Sequence, residues 1–184
     1  MQNPEYEQIK EISNRLRCQY DERPQLRIWS GSPFEWIANG LKSRTKGKLG
    51  EDMVNAFLRK NGFVVEKSPD SEADLVVDGH RVEVKLSTLW GSGIYRFQQI
   101  RQQNYDILFC LGLSPHSVQA WTTSKSDIVW SDMRHQHGGT AGDNAGKNTW
   151  WIQCGPEGSL HPWLRPQNGD LAKVCGELRK IISS

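Results

Sequence analysis

The sequence predicts an α/β (α+β) domain, a mixed sheet flanked by helices. Three observations carry that reading. An apolar helical stripe stops at Asn61-Gly62. Three strand-like runs crowd between Phe63 and Thr88. An amphipathic helix stands at the C-terminal end.

Taken in order, "PEYEQIKEISNRLRCQY" (residues 4–20) spaces Tyr6, Ile9, Ile12 and Leu16 along one helical face. "SPFE" follows as a start signal, with Ser32 as N-cap, Pro33 at the first helical position and Glu35 closing a capping box. The two pieces read as a helical extension over residues 1–44. "KLGEDMVNAFLRKNGF" then lines Leu49, Met53, Ala56 and Phe57 on one side of a helix, with Glu51 in its first turn. Strands are expected at Phe63–Lys67, Ala73–Val77 and Arg81–Thr88, a helix over Tyr95–Asn104, and strands at Ile107–Leu113 and Val118–Thr123. The order is αβββαβ. A further strand is expected at Thr149–Cys154, and the last helix carries Leu171, Val174, Leu178 and Ile181. Residues 135–148, "HQHGGTAGDNAGKN", are too glycine-rich for a regular element and read as a loop that orders on a ligand.

Length and composition set the outer limits. At 184 residues, 36% hydrophobic and 24% charged, the chain reads as one globular unit, residues 1–184, with a core over 45–124 and C-terminal elements over 125–184. A formal charge of +2 does not announce a nucleic-acid binder, so local clustering matters more. Lys42, Arg44, Lys46 and Lys48 form such a cluster, either a solvated face or a phosphate contact. The four cysteines are far apart with no CxxC pair, which argues against structural zinc. No apolar run approaches 18 residues and no leader is evident, so a cytoplasmic protein without a membrane span is expected. The eight tryptophans read first as core.

The chemistry lies in "SEADLVVDGHRVEVKL". Asp78-Gly79 between alternating apolar runs is a strong hairpin signal. A two-residue turn there sets Val77 opposite His80, Val76 opposite Arg81, Leu75 opposite Val82, and Asp74 opposite Glu83. Alternation then puts Leu75, Val77, Val82, Val84 and Leu86 on a core face, with Asp74, Val76, Arg81, Glu83 and Lys85 on the other. Directly opposed residues have Cβ atoms roughly 4.5–5.5 Å apart. Two carboxylates at that distance repel, unless a divalent cation joins them or one keeps its proton. An exposed face balanced by Arg81 and Lys85 is the plain alternative.

Glu51, Asp74 and Glu83-Val84-Lys85, set in the order αβββαβ, resemble the PD-(D/E)XK nuclease superfamily, the fold of many restriction endonucleases. The resemblance covers about residues 48–124 and makes 45–124 the expected catalytic core. It implies that Asp74 and Glu83 bind Mg²⁺ (Mn²⁺ substituting), that Val84 offers its backbone carbonyl, and that Glu51 completes the metal shell. Lys85 would position or polarise the attacking water and the phosphate, so the expected catalytic set is Asp74, Glu83, Lys85 and Glu51. The literal "PD" is Pro69-Asp70, but Asp74 has the better hairpin position, and Glu72 is a further rival. A Gln-x-x-x-Tyr pattern known in some relatives is off its spacing here, with Gln98, Gln99 and Gln102 ahead of Tyr105.

The expected activity is metal-dependent hydrolysis of double-stranded DNA by a restriction or phage-related endonuclease, acting as a homodimer because a C2 pair matches duplex symmetry. A structure-selective repair nuclease and a non-catalytic binding module are the alternatives. Expected DNA contacts are Lys42, Arg44, Lys46, Lys48, then Arg96, Gln98, Gln99 and Arg101, whose residue types suit base edges. His135 and His137 are weaker candidates for phosphate. P-loop, HExxH and zinc-deaminase signatures are all missing.

Overall fold

The computed structural model describes residues 24–137 and 148–184, together with Ile12. The helix expected over residues 4–20 and the glycine-rich stretch 138–147 lie outside the described residues.

A short 3₁₀ turn, Pro24–Trp29, leads into helix α1, Glu35–Gly40. The expected cap at "SPFE" is displaced: the helix begins at Glu35 after Phe34, which has no side-chain cap, and Ser32 and Glu35 instead tie the preceding turn. Ser32 Oγ accepts from the Phe34 N–H at 3.1 Å, and Glu35 Oε2 accepts from the Gly31 N–H at 3.0 Å.

Helix α2 runs from Ser43 to Lys60, so the expected border at residue 44 falls in its first turn, and the Lys42–Lys48 cluster lies along the helix start. Its stop is the expected one. Asn61 caps the last turn through its backbone and side-chain N–H groups, and Gly62 follows at φ +86°.

Five strands make the main sheet: β1 (Val65–Lys67), β2 (Leu75–Val77), β3 (His80–Thr88), β5 (Ile107–Leu113) and β6 (Val118–Ser124), in spatial order β1-β2-β3-β5-β6. β3 and β5 are parallel and the other pairs antiparallel, so the sheet is mixed, as expected. Helices α2 and α3 (Leu171–Ile182) cover one face. Val54 and Leu58 from α2 and Val174 and Leu178 from α3 pack there on Val82, Val84, Phe109 and Leu111. Each such side chain, fully buried, contributes about 1.5–3 kcal/mol.

The other face is covered by a second sheet rather than by a helix. Residues 95–104 do not form the expected helix. Tyr95–Ile100 is strand β4, which joins β8 (Thr149–Gly155) and β7 (Arg134–His137) in the order β4-β8-β7, with β9 (Gly158–Ser159) against β8. The error has a physical source. β4 buries Tyr95, Phe97 and Ile100, and a bulge between Phe97 and Ile100, with Gln99 at φ +58°, moves the third buried side chain out of phase. A spacing of two then three mimics a helical stripe. β7 is the second correction, because His135 and His137 were expected in an irregular loop.

A second core fills the space between the sheets, where Tyr95 and Phe97 meet Trp121 at ring-centroid distances of 5.7 Å. Leu108 and Cys110 belong to it too, so β5 is buried on both faces. No described helix is long and apolar enough to cross a membrane.

Candidate active site

The hairpin forms with the expected register: Val77 opposite His80, Val76 opposite Arg81, Leu75 opposite Val82. Asp78 at φ +46° and Gly79 at φ +86° give both central residues the positive φ that a tight hairpin turn requires. Asp78 Oδ1 also accepts from the Val64 N–H at 2.8 Å, tying the turn to the start of β1.

One residue beyond β2 the regular ladder has ended at Leu75–Val82, and Asp74 donates its N–H to the same Val82 carbonyl at 3.0 Å, so the expected pairing of Asp74 with Glu83 is not part of the register. Its Oδ2 accepts from the Val84 N–H at 2.7 Å. Glu83 is buried on the face that meets the second sheet, and Lys85, two residues on, places its ammonium against Glu83 Oε1. Two carboxyl groups thus lie near one ammonium, which touches only Glu83, in a largely buried place. The consequence falls on Asp74. Burial, then the neighbouring Glu83 charge, push its carboxyl above the usual carboxylate range, while the Val84 N–H and the Lys85 ammonium pull the other way.

Across from this pair stands helix α2. Gly50 makes the approach possible, since a Cβ there would stand 2.6 Å from Leu86 Cβ. The next residue, Glu51, accepts a hydrogen bond from Lys48 Nζ at 2.8 Å. Between helix and hairpin lies a cleft of about 620 Å³. Arg44, Lys46 and Glu51 form one wall, Asp74, Val84 and Lys85 the floor, and Trp90, Arg96, Gln98 and Gln99 the opposite wall. Glu83 is absent from that lining and sits beneath the floor.

The rival acids are occupied elsewhere. Asp70 Oδ1 pairs with Arg81 Nη2 at 2.5 Å, and that guanidinium holds its carboxyl below the ordinary value. Glu72 Oε2 accepts from the Asn104 N–H at 3.2 Å. Arg81 also donates from Nε to the Asn104 carbonyl and from its backbone N–H to Asp106 Oδ2, so this group fastens the hairpin to the start of β5.

The expected DNA contacts divide. Arg44, Lys46, Arg96, Gln98 and Gln99 line the cleft, whereas Lys42, Lys48 and Arg101 do not. Lys46 Nζ donates to the Ala38 carbonyl at 2.9 Å, and Lys48 is paired with Glu51 and Asp52. His135 rests edge-on against Trp150 at 5.6 Å. The side chain of His137 is outside the described residues. Trp90, 43% exposed at the rim, and Trp151 were read with the other tryptophans as core, because sequence shows no difference between an indole facing in and one facing out.

A metal ion suits this donor set in one respect: the Asp74 and Glu83 charges repel, and a cation would relieve that repulsion. Among the described residues no three His, Cys, Asp or Glu side chains gather closely enough to hold an ion by themselves. The Val84 carbonyl would therefore belong to the donor set, with Glu51 reaching in from the helix.

No family model matches the chain, and no curated protein does. Among solved structures, one of a bacterial homing endonuclease aligns with a TM-score of 0.46 and 16% identity, over 78% of this chain and 99% of that one.

Proposed function

We propose that this protein is a metal-dependent endonuclease of the PD-(D/E)XK type that hydrolyses phosphodiester bonds in double-stranded DNA, as a restriction or phage-related enzyme. One observation carries the reading: Asp74 and Glu83 lie close together beside a tight hairpin, with the Lys85 ammonium against one of them, at a cleft walled by Arg and Gln. Asp74, Glu83 and the Val84 carbonyl would hold Mg²⁺, with Mn²⁺ substituting and Glu51 in support. When bound, the ion supplies Lewis-acid polarisation and a water acidic enough to attack at neutral pH.

The chain's own residues do the rest. Asp74 must be ionised to act, and a bound cation would favour the carboxylate against the burial that pushes its pKa up. The Val84 N–H holds the Asp74 carboxylate in place, leaving Oδ1 for the ion. Lys85 shifts from Glu83 toward the scissile phosphate and stabilises charge as it develops on the non-bridging oxygens. Arg44 and Arg96, on opposite walls, bind flanking phosphates. Residues 45–124 carry the catalysis within one unit of 1–184, and a C2 homodimer would address both strands.

Cleavage of supercoiled plasmid in Mg²⁺ by wild type, Asp74→Ala and Lys85→Ala tests this. Nicking and linearisation by wild type alone are expected. Equal cutting by all three would remove the site, and tight DNA binding without cutting by any would leave a binding module.

A further inference from the structure

The outer face of the second sheet points away from the inter-sheet core and carries an unusual set of side chains. Arg96 on β4 stands opposite Gln153 on β8, and Trp151 on β8 stands opposite Arg134 on β7. The two arginines flank one indole: Arg96 lies 5.1 Å and Arg134 5.6 Å from the Trp151 ring. Arg96 is also stacked on Trp90, at 4.3 Å. Such stacking fixes a guanidinium plane without using its hydrogen-bond donors. Among the described residues no carboxylate pairs with Arg96 or Arg134, and Arg96 Nε is buried with no acceptor. Two planar cations are thus held in place with no carboxylate partner among the described residues. Structural arginines are normally paired, as Arg81 is here with Asp70.

We propose that this face enters the major groove of duplex DNA and reads base edges, with Arg134 and Gln153 as specificity-determining residues beyond the cleft. The proposal rests on the endonuclease reading, and three physical matches support it. Arg and Gln are the side chains whose paired donors and acceptors fit guanine and adenine edges. The β7–β8 pair that carries Arg134 and Gln153 is a two-stranded ribbon about 10 Å wide, the kind that a groove about 12 Å wide admits. Residues two apart on a strand, such as Trp151 and Gln153, are about 6.7 Å apart, close to two base-pair steps of about 3.4 Å. The face also continues into the cleft, because Arg96 and Trp90 belong to both. A duplex seated on it would run toward Asp74.

The test is selection from a random-sequence duplex pool, with Ca²⁺ in place of Mg²⁺, for wild type, Arg134→Ala, Arg134→Lys and Gln153→Ala, followed by binding of the enriched duplex as salt is varied. Wild type is expected to enrich a defined sequence. Arg134→Ala should weaken binding to it by about tenfold and relax one or two positions, with the salt dependence unchanged. Arg134→Lys, which keeps the charge but loses the fork, should relax the same positions. Plasmid nicking in Mg²⁺ should fall no further than DNA binding does, because neither side chain lines the cleft. An unchanged sequence preference would overturn the proposal, and so would a lowered salt slope without relaxation, the mark of a phosphate contact. Enrichment of no sequence by wild type would also overturn it. Plasmid nicking by that same wild type reports separately on the endonuclease reading.

Discussion

Gly50 of helix α2 rests directly on Leu86 of strand β3, with no room for even a methyl group between them. This contact sets how closely Glu51 approaches the hairpin. Gly50→Ala should gain about 1 kcal/mol of helix propensity and lose more to the clash, since Leu86 Cβ is attached to the sheet backbone and cannot swing away. A net loss of about 1–2 kcal/mol in denaturant unfolding is expected. Gly50→Ala combined with Leu86→Gly, which removes the opposing Cβ itself, should recover part of the plasmid-cutting rate that the single variant loses. Wild-type stability in Gly50→Ala would contradict the close approach.

Asp74 makes stability depend on pH with a definite sign. Its carboxyl is raised in the folded protein, so the folded state holds that proton more tightly than the unfolded chain does. The resulting stabilisation is fully present below the ordinary carboxylate value and is lost as pH rises through the raised one. Thermal unfolding of the metal-free protein should show this loss across that window, and Asp74→Asn should abolish it. Millimolar Mg²⁺ should raise the melting temperature of wild type above the window, because an ion that binds only the folded state stabilises it by mass action. Asp74→Asn should show no such rise.

Asp70 and Asp74 are four residues apart, and only one faces the cleft. Asp70→Ala frees Arg81 but leaves the Asp74–Val84 contact in place, so plasmid cutting should stay near wild type. Asp74→Ala should lower it by about 10²-fold or more, as loss of a group that stabilises transition-state charge does. Initial rates on one plasmid preparation separate the two. A reversed order would transfer the metal site to the literal Pro-Asp pair.

The role proposed for Lys85 rests on its charge rather than its bulk. Lys85→Met should leave the hairpin intact yet remove most activity, because the methionine keeps the stem without the ammonium. It should also raise the Asp74 carboxyl further, since an ammonium that favours the ionised form is gone. The rate in Mg²⁺ at saturating DNA, followed against pH, would show the rise in activity displaced to higher pH. An unshifted profile with full activity would leave Lys85 a structural partner of Glu83.

The hairpin was legible in the sequence because Asp78-Gly79 admits few turns, and the turn fixes every pairing beyond it as far as Leu75 with Val82. The end of α2 was legible for a similar reason, in Asn61-Gly62. Its beginning was not. Lys42 precedes the helix without a side-chain cap, and Gly47 and Gly50 lie inside it, so the usual start signals are missing and two false stops are present. The second sheet was hidden by the bulge at Gln98-Gln99, which gives a strand the spacing of a helix. Its partners β7 and β8 lie far along the chain, and nothing local in Arg134 or Trp151 records that they will meet Arg96. Long-range pairing of this kind is set by burial, not by neighbours in sequence.

The route of the chain between the two sheets has an engineering consequence. It leaves the main sheet for β4, returns for β5 and β6, and departs again for β7 and β8 before α3 comes back to the helical side. No single excision removes one layer and spares the other. Transplanting the outer layer from a relative, as one exchanges a modular reading head, would sever the connection from β3 to β5. Altered target choice in this scaffold would have to arise in place, one side chain at a time.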